Sequence, residues 1–181
     1  MHFAPKDILL KDGRTALLRS PVPSDAAAFL NYLKLTASET PFLLRSPEEI
    51  TMTVAEEEKY LQQIPESRVA IVCILDGKFA GNCQIDRRTK QKNRHRASIG
   101  IALLQEFWNL GIGTIMIEEM ISIAESWGIR QLELEVNEYN QRAIGLYRKM
   151  GFETVSFVPD AVRMPDGSFA REILMIKTLK K

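Results

Sequence analysis

Residues 106–121, EFWNLGIGTIMIEEMI, place Gly111 and Gly113 one residue apart, just before a long helical pattern. The first amides of a helix have no intrahelical partner, and the helix dipole gives them partial positive charge. A phosphate group can accept hydrogen bonds from such amides when no Cβ stands in the way. The stretch therefore predicts either an anion-binding cradle or a tight strand-to-helix turn, and a lone Gly-x-Gly does not decide between them.

Two familiar phosphate-binding loops are excluded by the neighbouring residues. A dinucleotide-binding fingerprint has a third glycine three residues after the second, and Met116 occupies that position. A P-loop needs Gly-Lys followed by Ser or Thr after a four-residue spacer, and the chain has no such sequence. If the two glycines bind phosphate, they belong to a different motif.

The segments around this stretch predict strands and helices of one α/β domain. An Asp-Gly pair at residues 12–13 predicts the turn of a first hairpin, and the pair at residues 76–77 predicts a two-residue hairpin turn. Helix starts are predicted by N-cap or capping-box residues at three places: Ser24 or Asp25, Ser46 with Glu49, and Thr53 with Glu56. The long helix should end at Gly128 and a later one, NQRAIGLYRKM, at Gly151. Further strands are predicted in ASIGIALL, IRQLELEV, FETVSFV and AREILMIKTL, with a loop in PDAVRMPDGSF.

Composition is typical of a soluble globular protein. The chain has 181 residues, of which 45% are hydrophobic and 26% charged, enough for one domain with a sizeable core. The net charge of +1 favours neither a nucleic acid nor a membrane as partner. The first ten residues lack the pattern of a secretory signal, and no apolar run has the length of a membrane-spanning helix. With only two cysteines, we expect a cytoplasmic protein.

The two cysteines are predicted to be free thiols. A two-residue turn at residues 76–77 places Cys73 opposite Ala80 and Cys83 opposite Ala70. The sulfurs would then lie about three ladder steps, roughly 10 Å, apart, which exceeds the reach of a disulfide. No nearby Cys and His have the spacing of metal ligands, so we expect no metal site.

Two motifs together resemble the GNAT superfamily of acyl-CoA-dependent N-acyltransferases. The family's phosphate-binding motif, Q/R-x-x-G-x-G/A, stands here as residues 108–113, WNLGIG. The family's strand, Asn, helix, Leu-Tyr and Gly-Phe signature is matched by LEVNEYNQRAIGLYRKMGFE, at Asn140, Ala143, Leu146, Tyr147, Gly151 and Phe152. With the preceding strand, these motifs cover about a third of the chain, and the rest is similar in element order.

The resemblance implies a single N-acetyltransferase domain over residues 1–181, with an N-terminal hairpin at 7–19 and a cofactor-binding core at about 97–152. Its implied fold is α/β (α+β), with a mixed, mostly antiparallel central sheet whose strands splay, flanked by helices. One position departs from the motif. Trp108 stands where the family has Gln or Arg, and an indole cannot replace a cationic fork.

The resemblance also implies acetyl-CoA as co-substrate and a set of site residues. Backbone amides of the residues from Leu110 to Thr114 would hold the pyrophosphate, and the backbone of Ala102 and Leu103 would pair with the pantetheine arm. Asn140 would contact the cofactor, cap the next helix, or do both. The implied cofactor-binding set is Ala102, Leu103, Trp108, Leu110, Gly111, Ile112, Gly113, Thr114 and Asn140.

The implied reaction is direct attack of a primary amine on the thioester, through a tetrahedral intermediate. The Leu103 amide is the implied oxyanion donor, and Tyr147 is the implied general acid for the departing thiolate. A wholly structural role for Tyr147, as an aromatic on the helix face, is the alternative. The acceptor is a small molecule or a peptide, and a homodimer is left open. A CoA-binding regulatory domain without turnover is the alternative function.

A general base is not identified by the sequence. Several family members carry Glu on the strand before the phosphate loop, but ASIGIALL has no carboxylate and Ser98 stands near that place. Glu39, Asp86 and a relay of ordered water are the candidates. His95 lies between Arg94 and Arg96 in the basic segment, so we expect a solvated loop residue.

The segment 87–96 carries six Lys or Arg in ten residues. It is either a solvated hairpin loop or a rim that attracts the phosphates of CoA or an acidic acceptor. Nucleic-acid binding is not favoured, because no aromatic residue is interleaved with the charges.

Overall fold

One mixed sheet organises the chain in the computed structural model, which describes residues 2–179. The strands are β1 (Lys6–Leu9), β2 (Thr15–Arg19), β3 (Arg68–Leu75), β4 (Lys78–Arg87), β5 (Arg96–Leu103), β6 (Gln131–Asn137), β7 (Glu153–Arg163) and β8 (Phe169–Thr178). The helices are α1 (Ala26–Glu39), α2 (Val54–Gln62), α3 (Ile112–Ser126) and α4 (Gln141–Lys149). The strand order is β1-β2-β3-β4-β5-β6-β8-β7, and only β5 and β6 pair in parallel among the described strands.

Helices cover both faces of the sheet, as contacts to adjacent residues of β4 show. The Tyr32 hydroxyl on α1 donates to the Asn82 side chain, whereas the Cys83 thiol lies 4.0 Å from the Met116 carbonyl oxygen on α3. Because successive side chains of a strand point to opposite faces, α1 and α3 lie on opposite sides. Within residues 2–179, no helix is long and apolar enough to cross a membrane.

Local signals placed most helix ends as predicted. The Thr53 capping box is formed: its hydroxyl accepts from the Glu56 amide, and the Glu56 carboxylate accepts from the Thr53 amide at 2.8 Å. At Ser46 the Glu49 carboxylate accepts from the Ser46 amide at 2.8 Å, but the Ser46 side chain makes no cap bond and the segment is a three-residue 3₁₀ turn. Asp25 precedes α1, yet its carboxylate accepts from the Val22 amide at 2.7 Å and makes no cap bond to α1. Helices α3 and α4 end just before Gly128 and Gly151, as predicted.

The β5–β6 pair separates after a short parallel ladder. Three residue pairs hold it together, ending at Ser98 opposite Glu133. Beyond this point the remaining residues of β5 pair only with β4. The backbone of β5 from Ile99 to Leu103 therefore presents an unpaired edge toward the gap. The α/β fold with splayed strands, which the resemblance implied, is confirmed.

The loop predicted for PDAVRMPDGSF, residues 159–169, is shorter in the structure, where it spans residues 164–168. Strand β7 runs through Pro159 to Arg163 and pairs with β8, with a register shift between Val158 and Val162. Asp160 lies in that irregular segment at a φ of 50°. β7 is the edge strand of the sheet, where a proline that cannot donate a hydrogen bond is tolerated, especially at a bulge. Pro159 and Asp160 therefore lie within the hairpin, and the turn that ends β7 comes later, at residues 165–167.

The predicted register of the cysteine hairpin was wrong beyond its turn. Leu75 pairs with Lys78 as expected, but a bulge between Cys73 and Ile74 puts Cys73 opposite Gly81 and Cys83 opposite Ile71. The two residues are two ladder steps apart instead of three. Both cysteines are free and buried, as predicted, and burial raises the pKa of the Cys73 thiol to about 12.

Candidate active site

Two adjoining cavities open where β5 and β6 separate. The first, of about 610 Å³, lies at the end of β5 between the loop that leads into α3 and the start of α4. The second, of about 600 Å³, lies along β5, β6 and β8 beneath the segment that follows α1. Ala102, Asn140 and Tyr147 line both cavities. A ligand that fills the first cavity can therefore present one end to the second.

The turn from β5 to α3 brings the helix N-terminus to the first cavity. Gly111 is the N-cap residue of α3 and has a φ of 91°, a conformation that strains residues with a Cβ. Ile112, Gly113 and Thr114 follow it in the cavity wall, and first-turn amides lack partners within a helix. This arrangement suits an anionic group. Leu110 does not line the cavity, and its carbonyl accepts from the Lys11 amide at 3.1 Å.

Gly113 is closely packed within the protein. A Cβ at this position would stand 3.2 Å from both Leu103 Cδ1 and Leu146 Cδ2. Those two side chains join the end of β5 to α4. A Gly113→Val variant would therefore disturb the interior, and a loss of ligand affinity in it would not by itself identify a phosphate contact.

Side chains hold the two carbonyl groups at the end of β5. The Tyr32 hydroxyl lies 2.9 Å from both the Ala102 carbonyl and the Asn82 side-chain oxygen, and it can donate to either. The Trp108 indole N–H donates to the Leu103 carbonyl at 3.0 Å. Because the carbonyls are engaged on the protein side, the backbone direction at Ala102 and Leu103 is defined before any ligand binds.

Trp108 performs a different task from the Gln or Arg of the motif. Its N–H donates to the Leu103 carbonyl, and the guanidinium of Arg142 stacks on its ring, with Cζ 4.4 Å from the ring centroid. Arg142 also donates to the Asn109 side chain at 2.6 Å. The loop that lacks a cation of its own therefore has one stacked on it from α4.

Tyr147 stands between the two cavities with its hydroxyl uncommitted. The side chain is 7% exposed, and no hydrogen bond among residues 2–179 involves its hydroxyl. Its ring packs edge-on against Phe152, with centroids 6.1 Å apart. Burial raises the pKa of Tyr147 to about 12, so the hydroxyl keeps its proton at neutral pH and can donate.

The base candidates taken from the sequence are mostly engaged elsewhere. The Glu39 carboxylate accepts from the Gln105 amide at 2.7 Å and lines neither cavity, which favours a structural role. Asp86 pairs with Arg68 at 2.5 Å. His95 lies in the loop before β5 and lines neither cavity. Ser98, which stands near the place of the family's strand Glu, does border the second cavity.

Two carboxylates that sequence reasoning missed face the second cavity. Glu135 lies on β6, and Glu172 lies on β8 opposite Asn137. Neither forms an ion pair within the described part of the chain. Burial, and then the negative charge of Glu135, raise the pKa of Glu172. The alternating pattern of β6 indicated a half-buried strand, but no local signal showed that its polar side and Glu172 meet at one cavity.

The splayed sheet and the cradle at α3 agree with a comparison to known families. The model of the acetyltransferase (GNAT) family matches residues 35–152. The chain belongs to the GNAT family. This confirms the resemblance that the two motifs predicted.

Individual GNAT proteins resemble the chain to different extents. A GNAT-family acetyltransferase from Streptococcus pneumoniae is 30% identical, with a TM-score of 0.84 over 91% of this chain and 99% of that one. The L-amino acid N-acetyltransferase AaaT of Escherichia coli is 32% identical over 84 residues, which are 46% of this chain and 52% of that relative. The chain thus spans about half the length of this curated relative. A phosphinothricin acetyltransferase from Sinorhizobium meliloti, solved with acetyl-CoA, shares the fold at 20% identity, with a TM-score of 0.77 over 91% of this chain and 88% of that one.

The basic segment of this GNAT chain lies at the opposite end of β5 from the cradle. Its last residue, Arg96, is the first residue of the eight-residue strand β5 and lies about 23 Å from Leu103 along the strand. Arg96 pairs with Glu133, and Arg87 lies over the Trp127 ring with Cζ 5.4 Å from its centroid. Only Arg88 of this segment lines the second cavity. The position disfavours a direct phosphate contact from the segment.

Proposed function

We propose that the chain is an acetyl-CoA-dependent N-acetyltransferase that transfers acetyl to a primary amine by direct attack through a tetrahedral intermediate. The observation that carries this proposal is the pair of adjoining cavities at the β5–β6 splay, with Tyr147 bordering both. Acetyl-CoA would occupy the first cavity, and the amine would reach the thioester from the second. Family membership supports the same reaction class.

Backbone groups would contact the donor at three places. The amides of Ile112, Gly113 and Thr114 would donate to the pyrophosphate oxygens, as expected at a helix N-terminus. The unpaired edge of β5 at Ala102 and Leu103 would pair with the pantetheine amides like an added strand. The Leu103 N–H would then donate to the oxyanion of the intermediate.

Asn140 and Trp108 would support this site without a direct role in chemistry. The Asn140 side chain accepts from the Ala143 amide at 3.1 Å, so it caps α4 while lining both cavities. Trp108 would hold the Leu103 carbonyl. Leu110 would contribute only to the shape of the loop. Among residues 2–179, no cluster of His, Cys, Asp or Glu is arranged to hold a metal ion, and the proposed reaction requires none.

The acceptor would be a cationic amine, from an amino acid, another small molecule or a peptide. AaaT, by its name, acts on L-amino acids, so amino acids and short peptides come first in a panel of amines. Release of CoA thiol from acetyl-CoA, dependent on an added amine, is the expected result. Acetyl-CoA binding without thiol release over the whole panel would favour a regulatory CoA-binding domain instead.

Glu172 is the carboxylate that we propose as the base, with Glu135 tuning it. An amine with a pKa of about 10.4 is almost wholly protonated at pH 7, so a nearby carboxylate that accepts its proton speeds attack. The charged side chains around the second cavity are Arg45, Arg88, Glu133, Glu135 and Glu172. Arg88 and Arg96 neutralise Glu133, which leaves Glu135 as the group that raises the pKa of Glu172 together with burial.

The pH dependence of kcat/KM tests this assignment. A base must be ionised, so a plot of log kcat/KM against pH should show a break at the pKa of Glu172. The slope below that pKa should be larger by one than the slope above it. Glu172→Gln should lower kcat/KM by ~10²-fold, a usual contribution of a positioned base, and remove the break. Glu135→Gln should move the break to lower pH, because a repelling charge is lost. An unchanged break in Glu172→Gln would assign proton removal to water or to another group.

A further inference from the structure

Two cations flank the Gly-x-Gly loop without a carboxylate partner. Lys11 and Arg142 both line the first cavity, and neither appears in an ion pair among residues 2–179. They come from distant parts of the chain, the β1–β2 turn and the first turn of α4. Two unneutralised charges brought together at one cavity indicate an anionic ligand.

Arg142 is held in place by two contacts before any ligand binds. Its guanidinium lies over the Trp108 ring, with Cζ 4.4 Å from the centroid, within the range of a cation–π interaction. One of its terminal nitrogens donates to the Asn109 side chain at 2.6 Å. A guanidinium has five N–H donors, so this bond leaves donors available to a phosphate.

Lys11 approaches the same loop from the other side. Its backbone amide donates to the Leu110 carbonyl at 3.1 Å, which ties the β1–β2 turn to the loop. Its side-chain carbons lie 3.4 to 3.7 Å from the place that a Cβ on Gly111 would occupy. The stem of Lys11 therefore lies within van der Waals contact of Gly111.

We propose that Arg142 and Lys11 form a cationic clamp on the diphosphate of CoA, in place of the Gln or Arg that the motif carries where this chain has Trp108. Trp108 is the positioning residue of the clamp, because it supplies the ring on which Arg142 is stacked. This inference rests on the proposed acetyl-CoA site and assigns two of its ligands to side chains outside the motif's phosphate loop. Both contacts are charge-assisted, and such hydrogen bonds are stronger than neutral ones.

Calorimetry with three probes tests the clamp: CoA, 3′-dephospho-CoA and phosphate-free pantetheine, the last by competition. Arg142→Gln and Lys11→Gln should each weaken CoA and 3′-dephospho-CoA by about tenfold, as expected for the loss of one charge-assisted bond. Pantetheine affinity should not change, because it carries no phosphate. Arg148→Gln removes a positive charge from the same helix at an exposed position outside both cavities, and it should leave all three affinities unchanged.

Trp108→Leu tests the positioning role. In the otherwise wild-type protein, Trp108→Leu should lower the ratio of CoA affinity to pantetheine affinity. In the Arg142→Gln variant it should leave that ratio unchanged, because the guanidinium that stacks on Trp108 is already absent. Additive relative losses would overturn the positioning role. Comparison with pantetheine corrects for the separate bond of Trp108 to Leu103.

Three outcomes would overturn the clamp. The first is a CoA affinity in the two variants equal to that of Arg148→Gln. The second is a loss seen with CoA but absent with 3′-dephospho-CoA, which would place the contact at the 3′-phosphate. The third is an equal loss for pantetheine, which would mean that the site itself is deformed. Failure of the wild-type protein to bind CoA would overturn the proposed function as well, so the two failures are distinguishable.

Discussion

Replacing Tyr147 by phenylalanine is expected to lower kcat by about 10²-fold while acetyl-CoA affinity stays nearly unchanged. Positioned proton donors contribute ~10²–10⁴-fold. The lower end is expected because burial raises the pKa of Tyr147 to about 12, above the value of about 8.5 for a cysteine-like thiol. Complete proton transfer to the thiolate would be uphill, so the hydroxyl acts chiefly by donating a hydrogen bond as the C–S bond breaks.

The Tyr147→Phe experiment has a direct structural control. The ring packs on Phe152, and the hydroxyl makes no hydrogen bond within residues 2–179, so the thermal midpoint should be unaffected or slightly raised. Single-turnover kinetics on a confirmed amine show whether chemistry limits the rate. Wild-type turnover under those conditions would leave Tyr147 as a wall of the site, with the thiolate departing unaided or protonated by water.

Replacing Gly81 by alanine is expected to damage both stability and turnover. Gly81 is the cross-strand partner of Leu103. An added Cβ would overlap Leu103 Cδ2 and would stand 2.9 Å from the Ala102 carbonyl oxygen. Overpacking of this kind costs roughly 1–3 kcal/mol, which lowers the melting temperature by roughly 2–12 °C in a chain of this size.

Expressed as a free energy, the effect of Gly81→Ala on turnover should exceed its effect on stability. A shift of the backbone at Leu103 moves the N–H proposed to stabilise the oxyanion, and loss of one such donor costs ~10²–10³-fold in kcat. Measurements at a temperature well below the new midpoint separate the two effects. If the folded variant keeps wild-type kcat, Leu103 is not the oxyanion donor.

Gly145 provides the matched control for this substitution. It lies on the exposed side of α4, and nothing stands within 4 Å of the place that its Cβ would occupy. Alanine is favoured over glycine in a helix by about 1 kcal/mol, so Gly145→Ala should be stabilising and should leave turnover unchanged. The same substitution at these two glycines is thus expected to change the free energy of unfolding in opposite directions.

Features that depend on a few neighbouring residues could be predicted from the sequence. The capping box at Thr53 and the end of α4 before Gly151 need only contacts within one turn of the chain. The same is true of the start of α3 at Gly111, where a positive φ and a following apolar helix are local properties. The two motifs lie on these local elements, which is why their residues are sufficient to indicate the family.

The register of strands and the meeting of distant side chains were decided only by tertiary structure. The β7–β8 hairpin persists through Pro159 because β8 offers a partner across a bulge, and no local pattern contains that partner. Glu172 gains its raised pKa from burial and from Glu135, which lies 37 residues earlier in the sequence.

Trp108 shows most directly the difference between what the sequence predicts and what tertiary structure decides. From the sequence, an indole at this place means a missing cation, because Gln or Arg would have supplied the polar group from the loop itself. In the folded chain, the packing of α4 against the loop brings Arg142 onto the indole, and the β1–β2 turn brings Lys11 to Gly111. Sequence alone thus indicated the family, the fold that goes with it and a candidate backbone cradle at Gly111, because the motif residues lie on local elements. The charges around that cradle come from residues 11 and 142, which only long-range packing of the folded chain places beside it.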